Sequence, residues 1–181
     1  MDDMNPEDPV TLLKEIEESC RICAAVLPVE TRSENEWSGI SFRIDGNNLV
    51  TPLGEVVEIL DVPELTLVPL TRPWVRGLAN VRGKLLPVID LNSYLNGAST
   101  RLTGKSRVLV IDCHGVYSGL VVDEVLGLRH FRDDELTADD SCIDACLQPY
   151  CRQGYRRGEQ TWAIFSMVTL ADSPQFLQAA V

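Results

Sequence analysis

The sequence predicts a mainly β protein built from two small barrels. Short segments that alternate apolar and polar residues recur along most of the chain, and tight turns such as Asp45-Gly46 and His114-Gly115 separate them. Few stretches show helical spacing, and a polar bridge at residues 96–106 divides the strand segments into two blocks. Many short strands joined by tight turns are typical of barrels, whereas a parallel sheet needs longer crossover connections.

The first predicted element is a helix within an N-terminal extension, residues 1–36. Asp8 and Pro9 suit the N-cap and the first helical position, and Pro28 ends the helix. Apolar residues recur at steps of three and four from Leu13 to Leu27. This apolar face either packs on its own domain or binds a partner helix, and a polar linker follows it.

The first block of strands, about residues 37–100, opens the predicted domain at residues 37–181. Strands are predicted at residues 40–44, 49–53, 56–60, 79–82 and 85–89. The segment Trp74 to Leu78 resembles one helical turn, and a tight turn is predicted at Gly83-Lys84. Pro87 implies a sheet edge or a bulge because proline has no N–H to donate. Asp90 can cap a short helix through Leu95.

The second block, about residues 101–172, repeats the same pattern of short strands. Strands are predicted at residues 108–112, 116–122, 125–131, 150–156 and 161–165. A turn at Arg157-Gly158 joins the last two strands, and an acidic segment precedes them. Ser173-Pro174 opens a C-terminal helix that places Phe176, Leu177 and Ala180 on one side.

The charge of the chain is −11 and is unevenly distributed. Seven basic residues and one acid, Asp90, fall within residues 72–107, a local charge of +6. The basic residues are Arg72, Arg76, Arg82, Lys84, Arg101, Lys105 and Arg107. This island suits docking on an acidic partner, or it is a solubilising surface with chance clustering.

The same composition limits which partners and compartments are expected. The overall acidity argues against a nucleic-acid-binding small barrel, for which the island offers only Trp74 and Tyr94 as aromatic residues. The chain has no apolar stretch of roughly 18 to 20 residues and no basic, apolar leader. These features predict a cytoplasmic protein.

Six cysteines raise the alternative of a cysteine-dependent metal or redox protein. They are Cys20, Cys23, Cys113, Cys142, Cys146 and Cys151. Cys20 and Cys23 share the helical face of Leu13 to Leu27, which favours structural thiols over ligands. His114 and His130 have no catalytic partner at local spacing, and no phosphate-binding loop or nucleophile elbow is present. We therefore predict no catalytic residue, no metal site and no cofactor.

The most informative stretch is PWVRGLANVRGKLLPVIDL, residues 73–91. Gly77 and Gly83 suit positions that need a positive φ or a close backbone approach. Arg76 and Arg82 precede these glycines, where a guanidinium can reach outward toward a partner carboxylate or carbonyl. A rigid turn that projects an arginine is suited to recognition rather than to bond making.

This stretch resembles the signature of CheW-like domains. The family signature is a glycine, an N-x-R-G turn and a P-V-I-D-L strand, found here as Gly77, Asn80-Val81-Arg82-Gly83 and Pro87-Val88-Ile89-Asp90-Leu91. The run 119–125 resembles the strand pair of the family's second half. Ala79 and Val81 replace bulkier aliphatic residues usual in that turn. The N-terminal helix and the Trp37-Ser38-Gly39-Ile40 entry are closer to the PilI type, which serves a pilus chemotaxis-like system.

The resemblance implies two intertwined five-stranded SH3-like barrels that exchange strands and enclose a hydrophobic core between them. It implies a non-catalytic adaptor that couples chemoreceptor tips to the CheW-like regulatory domain of a CheA-like histidine kinase, at receptor arrays on the inner membrane. The PilI type further implies control of type IV pilus twitching motility. The family's receptor-binding glycine and arginine map to Gly77 and Arg82. The candidate partner-binding residues are Arg76, Gly77, Asn80, Val81, Arg82, Gly83 and Asp90.

Overall fold

The computed structural model describes residues 36–137 and 144–179, together with Glu17. The remainder of the predicted N-terminal helix, residues 138–143 of the acidic segment and the last two residues lie outside the described residues. Within them the strands are β1 Glu36–Ile44, β2 Asn47–Pro52, β3 Glu58–Asp61, β4 Val75–Val81, β5 Lys84–Asp90, β6 Arg107–Cys113, β7 Val116–Val122, β8 Glu124–Arg132, β9 Leu136–Thr137, β10 Cys151–Arg157 and β11 Gln160–Phe165. The helices are α1 Leu91–Asn96, α2 Met167–Ala171 and α3 Pro174–Leu177.

The strands form two sheets, so the predicted mainly β fold is confirmed. One sheet has six strands in the order β8-β1-β2-β11-β10-β9, and the other has five in the order β3-β6-β7-β5-β4. The sixth strand, β9, contributes only two residues at an edge. Each sheet draws strands from both sides of residue 100, so the chain exchanges strands between the sheets. The domain limits drawn from the sequence stay predictions.

Both sheets curve until distant strands meet. In the five-stranded sheet, Arg82 of the β4–β5 turn forms an ion pair with Glu58 of β3 at the opposite edge. In the six-stranded sheet, a guanidinium N–H of Arg157 in β10 donates to the carbonyl oxygen of His130 in β8 at 2.9 Å. Aliphatic residues, most of them valines, fill the interior of the five-stranded sheet, namely Ala79, Leu86, Val88, Val108, Val110 and Val121.

A larger hydrophobic core lies between the two sheets, as the family resemblance implied. Phe42 and Ile44 of β1 belong to the same buried cluster as Leu109 and Ile111 of β6. The helices α1, α2 and α3 add Leu91, Met167 and Phe176 to it. The position of a residue in the alternating strand pattern therefore decides whether it faces a sheet interior or this shared core.

The predicted helical turn at Trp74 to Leu78 is wrong, because this segment begins β4. Residues 75–81 pair with β5, and Leu78 also exchanges two backbone hydrogen bonds with Thr66. These long-range pairings override the local helical pattern. Helix α2 was not predicted from the sequence. Its N-cap is Ser166, whose side chain accepts from the backbone N–H of Thr169.

The prediction of an edge or a bulge at Pro87 is corrected in two ways. The strand that contains Pro87 is not an edge strand, and the bulge lies in the strand that it faces. β5 lies between β7 and β4, so it is not an edge strand. Pro87 precedes the residues of β5 that pair with β7, and on that side its missing N–H interrupts no ladder bond. The register shift falls in the facing strand, between Val75 and Gly77. In the described part of the chain, no helix combines the length and apolar character needed to span a membrane.

Candidate partner-binding surface

The β4–β5 turn is built by Asn80, Arg82 and Gly83. Arg82 has φ +51° and Gly83 has φ +81°, and Val81 pairs with Lys84, which makes this a two-residue type I′ hairpin. The side-chain oxygen of Asn80 accepts from the backbone N–H of Gly83 at 2.9 Å. The N-x-R-G pattern is therefore a stabilised turn, centred one residue earlier than the predicted Gly83-Lys84 turn.

Arg82 is displayed to solvent at the tip of this hairpin. Its side chain is 79% exposed, and its guanidinium contacts the carboxylate of Glu58. Because Glu58 belongs to β3, the contact orients the arginine across the opening of the five-stranded sheet. The outward arginine predicted from the sequence is present at this position.

Arg76 differs from the prediction, because its guanidinium turns inward. It is the residue added at the β4 register shift, and such bulges re-aim a side chain. Two of its N–H groups donate to one oxygen of the buried Asp90 at 3.0 and 2.6 Å, and one also donates to the Thr100 carbonyl at 2.7 Å. Arg76 therefore holds the fold around the hairpin and does not project from it.

Asp90 is a buried anchor that connects three parts of the chain. Its carboxylate accepts from the backbone N–H of Ser93 at 3.1 Å, which caps α1 as predicted. It also accepts from the backbone N–H and the hydroxyl of Thr100, at 2.9 and 2.7 Å. With Arg76 as its counter-ion, this carboxylate is fully supplied with donors, which buried charges require.

Position 77 requires glycine for two reasons, the backbone conformation and the lack of space for a Cβ. Its φ is +141°, and a Cβ at this position would overlap the backbone carbonyl oxygen of Thr66. The residue is buried, so its contribution to any partner contact is indirect: it lets the segment around Thr66 lie against β4.

Comparison with known proteins shows the family of this chain. A family model described as a CheW-like domain matches residues 38–178. The chain belongs to the CheW-like domain family. It is 42% identical to the protein PilI of Pseudomonas aeruginosa over 97% of this chain and 98% of that protein. It is 34% identical to FrzA of Myxococcus xanthus over 57% of this chain and 63% of that protein.

A solved structure shows the same CheW-like fold. It is the scaffolding protein TtCheW from Thermoanaerobacter tengcongensis, with a TM-score of 0.64 and 21% sequence identity. The match covers 77% of this chain and 94% of that protein. At this level of identity the likeness concerns the fold alone.

The seven predicted site residues of this CheW-like domain separate into a displayed tip and a buried support. Asn80, Arg82 and Gly83 are exposed, and Val81 is half-buried against the five-stranded sheet's interior. The other three, Arg76, Gly77 and Asp90, support β4 from within. Sequence reasoning missed Glu58, the partner of Arg82, together with Thr66 and Thr100, which contact the three supporting residues. No local pattern signals these residues, since each lies 10 to 24 positions away or at the far edge of a sheet.

Three of the six cysteines lie within the part of this CheW-like chain that the structure describes. Cys113 and Cys151 are buried and Cys146 is half-buried, and burial raises the pKa of Cys113 and Cys146. A raised pKa keeps a thiol protonated and unreactive. Across residues 36–137 and 144–179, no group of three or more potential metal ligands comes together. Cys20, Cys23 and Cys142 lie outside the described residues.

Both histidines form exposed pairs. Nδ1 of His114 lies 2.7 Å from a carboxylate oxygen of Asp172, and Nδ1 of His130 lies 2.7 Å from the hydroxyl of Ser38. Ser38 and His130 are cross-strand neighbours of β1 and β8. A serine–histidine contact on an open sheet surface is a cross-strand hydrogen bond, not a desolvated nucleophile site.

Proposed function

We propose that this chain is a non-catalytic adaptor that couples chemoreceptors to a CheA-like histidine kinase in the control of type IV pilus twitching motility. The supporting observation is its 42% identity to PilI along almost the full length of both chains. Such an adaptor works in the cytoplasm, recruited to receptor arrays at the inner membrane. Its work is to hold two proteins together, which needs surfaces and no cofactor.

We further propose that the receptor's cytoplasmic tip binds the Asn80–Gly83 hairpin. A type I′ turn fixes the backbone that carries Arg82, so this backbone loses little conformational entropy on binding. A guanidinium offers several N–H donors to a carboxylate or carbonyl of the receptor. Arg76, Gly77 and Asp90 serve this surface as positioning residues. The second partner is the kinase's CheW-like regulatory domain.

The test is co-sedimentation of the purified chain with membranes that carry a pilus-type chemoreceptor, with and without the kinase. We expect the wild-type chain to bind receptor membranes and to recruit the kinase to them. Arg82→Glu should fold normally and bind the receptor at least about tenfold more weakly, equivalent to about 1.4 kcal/mol. The reason is that the substitution removes the guanidinium donors and places a negative charge opposite the receptor carboxylate.

Arg101→Glu is the matched control. Arg101 belongs to the same basic island and is exposed in the α1–β6 connection, so the variant changes the net charge equally. We expect its binding to stay within about twofold of the wild type. Equal binding by a folded Arg82→Glu variant would remove the hairpin from the proposal. Failure of the wild-type chain to bind both receptor and kinase would refute the adaptor function.

A further inference from the structure

A cleft lies beside the start of β4, where the chain that enters this strand meets the helix α3. It is lined by Arg72, Pro73, Trp74, Gln175 and Gln178, and its volume is about 250 Å³. Sites for drug-sized ligands and cofactors have volumes of about 300–1,000 Å³. The cleft is therefore better suited to one or two side chains of a peptide than to a cofactor.

Backbone hydrogen bonds hold the walls of the cleft in place. The backbone N–H of Arg72 donates to the carbonyl oxygen of Ala179 at 2.9 Å, which joins the two segments. The Arg72 carbonyl accepts from the backbone N–H of Val75 at 2.9 Å and closes a turn around Pro73, whose ring fixes φ. Binding in such a preformed cleft requires little ordering of the backbone.

The buried residue of the lining is Trp74, which forms the apolar base of the cleft. Its side chain stacks on the ring of Phe176 in α3, with the centroids 6.2 Å apart and the planes 4° from parallel. Its carbonyl oxygen accepts from the backbone N–H of Asp90 at 2.8 Å. The indole is thus fixed in position and offers a surface on which the aliphatic part of a ligand can pack.

Three polar side chains share the cleft with this indole, those of Arg72, Gln175 and Gln178. All three residues are exposed. Within residues 36–137 and 144–179, their guanidinium and carboxamide groups have no hydrogen-bond or ion-pair partner. Of the described residues that line the cleft, only Arg72 is charged. The lining therefore offers the donors of a guanidinium, together with two carboxamides that can each donate and accept.

This lining is complementary to a carboxylate on a peptide. A guanidinium matches a carboxylate through two parallel N–H···O bonds. Because no acid of the described lining opposes Arg72, an acidic ligand is attracted and a basic one is repelled. The carboxamides of Gln175 and Gln178 match the N–H and C=O groups of a peptide backbone.

The cleft and the Asn80–Gly83 hairpin lie at opposite ends of β4. Arg72 and Trp74 precede this strand, whereas the hairpin closes its far end. The seven residues of the strand extend over roughly 20 Å. One or two side chains cannot extend over this distance, so the cleft is separate from the hairpin surface.

We propose that the cleft binds an acidic peptide segment, with a glutamate or aspartate carboxylate on Arg72 and the adjoining peptide groups on Gln175 and Gln178. The charge of the lining, its fixed walls and its volume support this assignment. The site goes beyond the proposed function, because it gives the chain a second contact for a partner that carries such a segment.

The test titrates the full chain with the capped peptide acetyl-Ala-Glu-Ala-amide and follows the Trp74 indole signal by 1H–15N NMR. The chain has three tryptophans, so a Trp74→Phe variant identifies this signal. We expect a saturable shift with a Kd in the low millimolar range. The uncharged peptide acetyl-Ala-Gln-Ala-amide should bind at least about tenfold more weakly.

Arg72→Gln should weaken binding of the glutamate peptide at least about tenfold and keep the melting temperature, because the backbone bonds of the wall remain. Arg101→Gln is the matched control. Arg101 is an exposed arginine of the same basic island and lies outside the lining, so its variant should bind within about twofold of the wild type. Equal binding by the two variants would overturn the inference.

Other results would also overturn it. An absent shift, or equal binding of the glutamine peptide, would show that the cleft does not select an acidic peptide. Equal binding of sodium acetate would restrict the site to a bare carboxylate ion. Peptide binding that strengthens at least about tenfold on removal of residues 180–181 would make those residues the occupant. A dimer that Arg72→Gln dissociates in sedimentation equilibrium would make a second copy the occupant. The titration contains neither receptor nor kinase, so its failure leaves the proposed function standing.

Discussion

At the scale of single residues, Asp90 connects the strand, the helix and the loop behind the hairpin. Its carboxylate is buried, with Arg76, Ser93 and Thr100 as donors. The family motif thus contains a residue whose effect on the surface is indirect. A substitution of Asp90 therefore tests whether the residue stabilises the fold behind the hairpin, and not whether it contacts a partner.

Asp90→Asn is expected to lower the free energy of unfolding by about 3–5 kcal/mol, because it leaves Arg76 without its buried counter-ion. Urea denaturation followed by circular dichroism measures this. Asp112→Asn, at an exposed position of β6, is the control and should change stability by about 0.5 kcal/mol or less. Equal stability of the two variants would contradict the anchoring role.

Gly77 gives a second prediction at this scale. Gly77→Ala is expected to destabilise the protein by about 1–3 kcal/mol or more, since alanine is strained at this φ and its Cβ overlaps the Thr66 carbonyl. Gly54→Ala is the matched control, because a Cβ at Gly54 meets nothing within 4 Å. Thermal unfolding of both variants is the measurement. A Gly77→Ala variant as stable as Gly54→Ala would show that the Thr66 segment can move away at little cost.

At the scale of elements, the six-stranded sheet is held closed by an ion pair between its strands. Two guanidinium nitrogens of Arg157 in β10 donate to the carboxylate of Glu135, just before β9, at 2.7 and 2.8 Å. Glu135 also accepts from the backbone N–H of Arg132 at the end of β8. Arg157 and then Arg132 hold the pKa of Glu135 at about 2, below the usual 4.5.

Because the pKa of Glu135 is lowered by folding, its contribution to stability is present above about pH 4.5 and is lost as the pH falls toward 2. We expect Glu135→Gln to lower the urea midpoint at pH 7 and to approach the wild-type midpoint near pH 2. Urea titrations at pH 7, 4 and 2.5 follow the difference. A difference that stays constant across this range would show that the carboxylate charge is not the stabilising group.

Elements also differ in how well they can be predicted from their own residues. The Asp45-Gly46 and His114-Gly115 turns were predicted, and all four residues have positive φ. An X-Gly pair signals such a hairpin locally, because glycine tolerates that conformation at no steric cost. By contrast, β4 was misjudged at Trp74 to Leu78, since its pairing with β5 and Thr66 involves residues that the local pattern does not contain.

At the scale of the whole molecule, residues 35–181 form one compact unit. The buried clusters of the described residues draw their members from this unit. We therefore expect a chain without residues 1–34 to keep its β-sheet circular dichroism and to unfold in a single cooperative transition.

Circular dichroism, size exclusion and a binding titration on the shortened chain check this expectation. Reduced binding to the kinase or receptor with unchanged solubility would assign the apolar face predicted from the sequence, Leu13 to Leu27, to a partner. A sharp fall in solubility would assign that face to this chain's own surface. Loss of the sheet signal would mean that the boundary is wrong.

The sequence by itself determined the fold class, the Asp45-Gly46 and His114-Gly115 turns, the Asp90 cap and, to within one residue, the N-x-R-G turn, because strand alternation, glycine turns and caps depend on neighbouring residues. It also carried the family, through the motif of residues 76–91. Only the tertiary structure decided which strands share a sheet, that Arg76 faces Asp90 while Arg82 faces Glu58, and why Gly77 cannot carry a side chain. Each of those outcomes depends on a partner that the chain brings close only by curving its sheets, and no local pattern encodes such a meeting.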